Sequence, residues 1–501
     1  MTAIRKTLRL FSIAALIVAV AALTGCSKEE IGGDGLTFTT TVQMPAGGTK
    51  VLDEHGVKTF AVGECIKVTC DGGSMTCTSE ALTSADISAD GKAAKFTFNF
   101  ESAPTLSSGS TVTYEYPAAH SGLGGQDGTL ATLQSTYDYA SCSSIVSVTG
   151  QLPTNITLAN QYAILKLNLK SDGSVDITSD VRQLTVTLGG QTVTVNRTPA
   201  EGPVYMAVPA ASGTIVFYAA KGKDLYTKSV SQTLTAGHLY PVNLSMSIVE
   251  GALSGLFSVS ASKKVYFSKG NLEAVFMGSG GLFTWQFFGD QWGCVGNAAA
   301  NNAITGNGTV STAGAVDLFG WSSTNTTYGI HNSTDAFDYR GDFRDWGTNA
   351  INNGGNTNWS TMSDTEWDYL KSHTTWGMAT VAGVCGLIIL PDNYSGTAIT
   401  SGHGSGWNTN TINEASWRDN YESCGAVFLP AAGYRYGTEM FYDPSSVHDY
   451  NKRGYYWSSR SYNNGGHYGG YFVLFDNTGF SSEYDSDGHV GKSVRLVHVA
   501  N

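Results

Sequence analysis

The residue types best suited to touching a ligand crowd the last fifty residues, Arg453 to Asn501. Between the bulky β-formers Tyr455, Tyr456 and Trp457 and the closing run Val494, Leu496, Val497 and Val499 lies a stretch of Tyr, Asn, Gly, Ser, Asp and His. It holds little aliphatic material beyond Val473 and Leu474. Tyr brings contact area at low entropic cost, and Ser, Gly and Asn bring adaptable hydrogen bonding, a mixture that antibody paratopes use. The same composition also suits a plain Gly-rich loop with ordinary turn residues. The contact set read from it is Arg460, Tyr462, Asn463, Asn464, His467, Tyr468, Asp476, Asn477, Tyr484, Asp485, Asp487 and His489. Aromatic faces would stack on a glycan or protein, and amides and carboxylates would hydrogen-bond to it. Phe472 and Leu474 alternate with Tyr471, Val473 and Phe475, so whichever set faces solvent adds apolar contact.

Bond-making chemistry has thinner support. No two of the ten histidines lie within four residues of each other, which excludes a helix-borne zinc pair. Glu483, Asp485 and Asp487 alternate ahead of Gly488 like the start of a calcium loop. The twelfth position falls on Val494, so an EF-hand fails and calcium would have to be held by other means. No Gly-x-Ser-x-Gly elbow occurs. The reading is therefore of a protein that is not an enzyme, with no catalytic residue, no assigned metal ligand and no cofactor, calcium alone staying open.

These residues need a frame, and composition bounds it. At 501 residues a prior of roughly 150 per domain suggests about three domains. Charged residues make up 14%, and long helix-period runs are missing, the profile of an extracellular all-β protein. The net charge is −12, and no stretch is dense in Lys and Arg, so nucleic acid is excluded as a partner.

Arg5, Lys6 and Arg9 form a basic start, and Leu10 to Leu23 an apolar run shorter than the ~20 residues that span a bilayer. Leu23-Thr24-Gly25-Cys26 resembles the bacterial lipoprotein box. That resemblance implies a signal peptide over 1–25, lipidation of Cys26, and a polar tether over 26–35. Ser27-Lys28-Glu29-Glu30 resembles the acidic tag of Gram-negative lipoproteins sent to the outer face of the outer membrane. The expected partner at this end is the membrane, through the lipid on Cys26. Seven cysteines remain, an odd number whose spacings suit neither a zinc site nor a dense disulfide framework. Cys70 and Cys77 could close a hairpin across Asp71-Gly72-Gly73.

From Leu36 the chain reads as strands and turns. Leu36–Met44, Lys95–Phe100 and Thr111–Tyr116 alternate with period two, and so do Tyr162–Leu169, Leu184–Leu188, Thr192–Asn196 and Val204–Val208. This density predicts two β-sandwiches in series, over 36–150 and 151–249. Phe60-Ala-Val-Gly-Glu64, Tyr114-Glu-Tyr-Pro117 and Leu234-Thr-Ala-Gly-His-Leu-Tyr240 resemble fimbrillin-type proteins, the lipoprotein subunits and tip adhesins of surface pili. Many subunits of that family are cut after an arginine near the N-terminus. Here no arginine occurs between the signal peptide and Arg182, which favours an anchored or tip protein over a stalk subunit.

Glu250–Gly255 reads as a linker, and a third domain follows over 256–501. Ser363-Asp-Thr-Glu366 predicts a capping box and a helix, while Val384–Pro391 and Ala426–Tyr434 suit buried strands. Phe267–Leu272, Asp317–Trp321, Glu366–Leu370, Phe428–Arg435, Tyr456–Ser459 and Ser493–Val497, in that order, resemble the C-type-lectin-like domains of paralogous surface lipoproteins. The variable proteins of diversity-generating retroelements and formylglycine-generating enzymes share that fold. A formylglycine-type activity would need a close reactive cysteine pair, which Cys385 and Cys424 do not make. The resemblances together imply a mostly β chain: two fimbrillin-like sandwiches carrying a loop-rich, C-type-lectin-like α+β domain that binds a glycan or protein. Their alternative is a structural or tip component of a pilus, whose partners are pilus subunits.

Overall fold

The computed structural model describes residues 36–44, 59–120, 122–277, 283–295, 302, 304, 314–355, 358–437, 439–440 and 451–500. The expected signal peptide, Cys26 and the expected tether lie outside these residues. Strand outweighs helix, 47% to 11%, so the chain is mostly β, as the period-two patterning predicts.

In the first sandwich Leu36–Gln43 pairs antiparallel with Ala93–Phe100 and parallel with Asn155–Thr157. The facing sheet runs Met75–Thr78, Lys67–Cys70, Thr111–Tyr116, Ala140–Ile145, Ala159–Asn160. Alternation buries Ala94, Phe96, Phe98 and Phe100 against Val68, Val112 and Tyr114. The register sets Cys77 opposite Val68 and Cys70 opposite Met75. Both thiols are free, so the hairpin disulfide that the spacing allows is not formed.

The Ser/Gly/Asp-rich stretch 118–150 supplies the Ala140–Ile145 strand and a short helical segment from Leu130 to Tyr137. Leu133 and Tyr137 pack on Ile164, Tyr205 and Ala207 of the second sandwich. The buried Gln126 amide accepts from Ala207 N (2.7 Å) and donates to Ala207 O (2.9 Å). The two sandwiches are thereby stapled side chain to backbone.

In the second sandwich Tyr162–Lys170 lies between Val204–Pro209 and Leu239–Ser245. Across it stand Gln191–Asn196, Val181–Leu188, Ser212–Lys221 and Asp224–Thr233. Leu165, Leu167, Leu184, Val186, Met206 and Phe217 fill the space between.

Glu250–Gly255 is not a linker. It belongs to a strand, Ser247–Ser258, that pairs with Asp224–Thr233 on one side and Lys264–Ser268 on the other. Lys264–Ser268 pairs with Leu496–Val499, which pairs with Trp359–Thr361, so one eight-stranded sheet passes from sandwich into the C-terminal region. The glycines serve close approach rather than flexibility. A Cβ at Gly255 would lie 2.0 Å from the Gly425 carbonyl oxygen, and one at Gly251, whose φ is +79°, 2.8 Å from that of Asn353. Arg182 clasps the joint, its Nη2 donating to Ser254 Oγ (2.6 Å) and its Nε to the Ser423 carbonyl (3.3 Å).

The C-terminal region holds a four-stranded sheet, Asn410–Ile412, Trp376–Val381, Val384–Ile389, Val427–Pro430, and the helices Asp364–His373 and Glu414–Asn420. The capping box forms: Ser363 Oγ accepts from Glu366 N, and the Glu366 carboxylate accepts from Ser363 N. Two cores flank the last strands. One is aromatic, built on Trp285, Phe319, Trp321, Trp346 and Trp457; the other is mainly aliphatic, built on Leu387, Ile389, Leu429 and Val497. Buried Arg435 donates to the carbonyls of Leu318, His331 and Gly437, and buried Arg495 to Asn271 and Gln291. Among the described residues no helix is long and apolar enough to cross a membrane.

Candidate functional site

Apart from Asn477 in a turn and His489 past the last strand, the proposed contact residues fall on an antiparallel meander of three strands, Arg453–Asn464, His467–Asp476 and Gly479–Asp487. Gly465 and Gly466, at φ +61° and +102°, make the first turn. At the second turn Asp476 Oδ1 accepts from the amide and hydroxyl of Thr478.

One half of the meander is clamped. Tyr455, Trp457 and Phe472 enter the aromatic core, while Tyr456, Val473, Phe475 and Phe480 enter the other. Phe472 is 7% exposed and lies against Tyr455, Trp457 and Tyr484. Its assignment as a contact residue is therefore corrected, and Leu474 is half-buried against the same core. The alternation argument fails here because both faces of the strand are covered over Phe472–Phe475, so only Tyr471 of the two sets lies on the more exposed half. Asp476 and Asn477 sit at the Gly479 turn, the end away from Gly465, and Asp476 pairs with Arg453 at 3.3 Å. They do not join the rest.

The other half is more exposed, although Gly470 within it lies against Trp321. The pleat puts Tyr462, Asn464, His467, Tyr471, Asp485 and Asp487 on one face, since Tyr462 is opposite Gly469, Gly469 opposite Asp487 and Tyr471 opposite Asp485. His467 Nδ1 lies 3.2 Å from the Asp487 carboxylate. A register shift between Trp457 and Ser461 re-aims Arg460. Its guanidinium lies 4.1 Å over the Tyr471 ring and donates to Asp364 at 2.6 Å.

The opposite face carries Asn463 and Tyr468, which are cross-strand partners, and Tyr484 stacked on Phe472 at 5.7 Å. Sequence reasoning missed two of its neighbours. Phe337, 48% exposed, meets Tyr468 edge-on at 5.8 Å, with Arg340 3.9 Å over its own ring. Tyr436, 37% exposed, meets His489 edge-on at 4.9 Å. No sequence signal separates exposed Phe337 from buried Tyr339 on the same short turn. Burial holds the half-buried His489 imidazole below its ordinary value, against the pull of Asp487 and Asp335.

Beneath lies a buried amine. Lys492 Nζ is 4.1 Å over Trp457 and 4.5 Å over Phe472, and burial lowers its pKa well below the ordinary lysine value. Among the described residues no cluster of His, Cys, Asp or Glu is arranged to hold a metal. Asp485 and Asp487 stand on a strand rather than in a loop. Clefts of 410 to 740 Å³ occur along the sandwiches and the C-terminal region and are lined by other residues. The more exposed half thus presents hydrogen-bonding groups on one face and the rings of Tyr468, Tyr484 and Phe337 on the other.

A family described as "Domain of unknown function (DUF8237)" matches residues 397–497, which include the whole meander. No curated protein matches the chain. Among solved structures, a candidate cell adhesion protein from Bacteroides ovatus is similar at 15% identity and a TM-score of 0.27, over 43% of this chain and 96% of its own. A fimbrial protein from the same species aligns at 10% identity and a TM-score of 0.23, over 92% of this chain and 99% of its own. The minor pilin GBS52 of Streptococcus agalactiae aligns at 10% identity and a TM-score of 0.17, over 42% and 96%. At scores this low the architecture is read from its own strand pairing.

Proposed function

We propose that the chain is a cell-surface adhesin, anchored in the outer membrane through lipid on Cys26. Two fimbrillin-like sandwiches act as a stalk for a C-type-lectin-like head, and the more exposed half of the meander binds a glycan or protein. One observation carries this reading: Tyr462, Asn463, Asn464, His467, Tyr468, Tyr484 and Asp485 stand outward or half-outward on strands whose other halves are clamped between two cores. Rigid aromatic anchors with adaptable polar neighbours, fixed before contact, make a binding surface at low entropic cost.

The test is a glycan-array and cell-binding screen of the chain beside a Tyr462→Ala, Tyr468→Ala variant. The reading expects saturable binding that the double variant loses while keeping its fold. A chain that binds neither array nor cells but polymerises would instead be a structural pilus component.

A further inference from the structure

Where the second sandwich meets the C-terminal region lies a cleft of about 560 Å³ that no function has been given. Arg182, Gln183, Asn196, Arg197 and Thr198 line it from the sandwich, and Asn393, Ser395 and Ser423 from the other side. Arg182 and Arg197 are neighbours across the ladder: Arg197 N donates to Arg182 O at 2.9 Å, beside the Gln183–Asn196 side-chain pair. Arg197 Nη2 donates to the Ala200 carbonyl at 2.5 Å, and its Nη1 is buried with no hydrogen-bond partner. Neither guanidinium has an ion pair within 4 Å among the described residues; Asp127 acts on Arg197 only at longer range. Asp180, the carboxylate of the cleft, is already held by Lys221 at 2.8 Å.

Like charges on adjacent strands repel. In a chain of net charge −12 carboxylates are plentiful, yet Asp180 of the cleft is held by Lys221 rather than by either arginine. A guanidinium is a planar fork matched to a carboxylate, and the amide and hydroxyl groups of Asn196, Thr198 and Ser395 stand among walls that are otherwise largely apolar. We propose that this cleft binds a carboxylated sugar, with the arginines taking the carboxylate and Asn196, Thr198 and Ser395 taking its hydroxyls. The site stands apart from the meander and does not depend on what the meander binds.

Isothermal titration of the full chain with glucuronate tests it, with glucose and inorganic sulfate as comparison ligands. Arg182 is left intact because it clasps the joint. Saturable glucuronate binding, silent glucose, and an affinity about tenfold weaker in Arg197→Met with partial recovery in Arg197→Lys are expected. Circular dichroism checks the fold of each variant, and Thr198→Val, on an exposed wall, gives a second loss of affinity should Arg197→Met misfold. No saturable glucuronate binding, equal binding of glucose, sulfate binding as tight as glucuronate, or unchanged affinity in folded variants would each overturn the assignment.

Discussion

Gly470 lies against the indole of Trp321. A Cβ at position 470 would come within 2.1 Å of Trp321 Cζ3. Trp321 in turn packs edge-on to Trp457 at 5.3 Å and stacks on Phe343 at 5.0 Å. The middle strand of the meander therefore has no side chain at the point where the aromatic core supports it. Gly470→Ala is expected to destabilise the protein by about 3 kcal/mol through overpacking and to loosen the meander. Urea unfolding and the near-ultraviolet circular dichroism of the tryptophans read both effects.

Arg460 separates binding from stability. Its side chain is exposed, and its partner Asp364 sits at the start of a helix that the Ser363 capping box already secures. Arg460→Met is expected to leave the thermal midpoint unchanged and to weaken ligand or cell binding several-fold. A shifted midpoint with intact binding would assign the residue to structure.

Ser363→Ala removes the acceptor for Glu366 N and is expected to cost about 1 kcal/mol. Glycan or cell binding should follow only if the helix end moves, since Asp364 presents the partner of Arg460. Comparing Ser363→Ala with Ser363→Thr, which keeps the cap, distinguishes the two effects.

Asp317 makes stability depend on pH. Burial pushes its carboxyl up to about 6, although Val295 N and the Asn302 amide donate to it. The folded chain thus binds the proton more tightly than the unfolded one. Its contribution is fully present below the ordinary carboxyl range and is lost as the pH rises through about 6. The change is on the order of 3 kcal/mol across that window. Urea midpoints should fall between pH 4 and pH 6.5, roughly, and Asp317→Asn should flatten that slope even if it lowers stability throughout.

The junction glycines give a further test. Gly255→Ala would press a Cβ into the Gly425 carbonyl, where backbone rather than a flexible side chain must yield. A loss of about 3 kcal/mol is expected, with new protease cleavage near residue 250. The unsubstituted chain should resist cleavage there, which a flexible linker would not.

Strand positions were legible because period-two patterning reports one buried face directly, as at Ala93–Phe100, and the capping box at Ser363 because its two hydrogen bonds need a fixed spacing. The linker reading of Glu250–Gly255 failed because Gly and Ser look alike whether they bend a chain or let two backbones touch. Phe472 misled for a related reason: alternation tells which side chains share a face, not whether that face is free. Tyr462, His467, Tyr468 and Asp485 stand on the more exposed half. Phe337 and Tyr436 come from segments distant in the chain, and only the folded register brings them beside Tyr468 and His489.

The shared sheet at the junction has a mechanical consequence. With Ser247–Ser258 hydrogen-bonded to strands of both bodies and Arg182 fastening Ser254 to Ser423, there is no swivel at this joint. Tension on the meander would pass into the second sandwich as shear along paired strands, which yields only when many bonds break together. The orientation of the C-terminal region is then inherited from the second sandwich, and drag or flow would turn the two as a single lever.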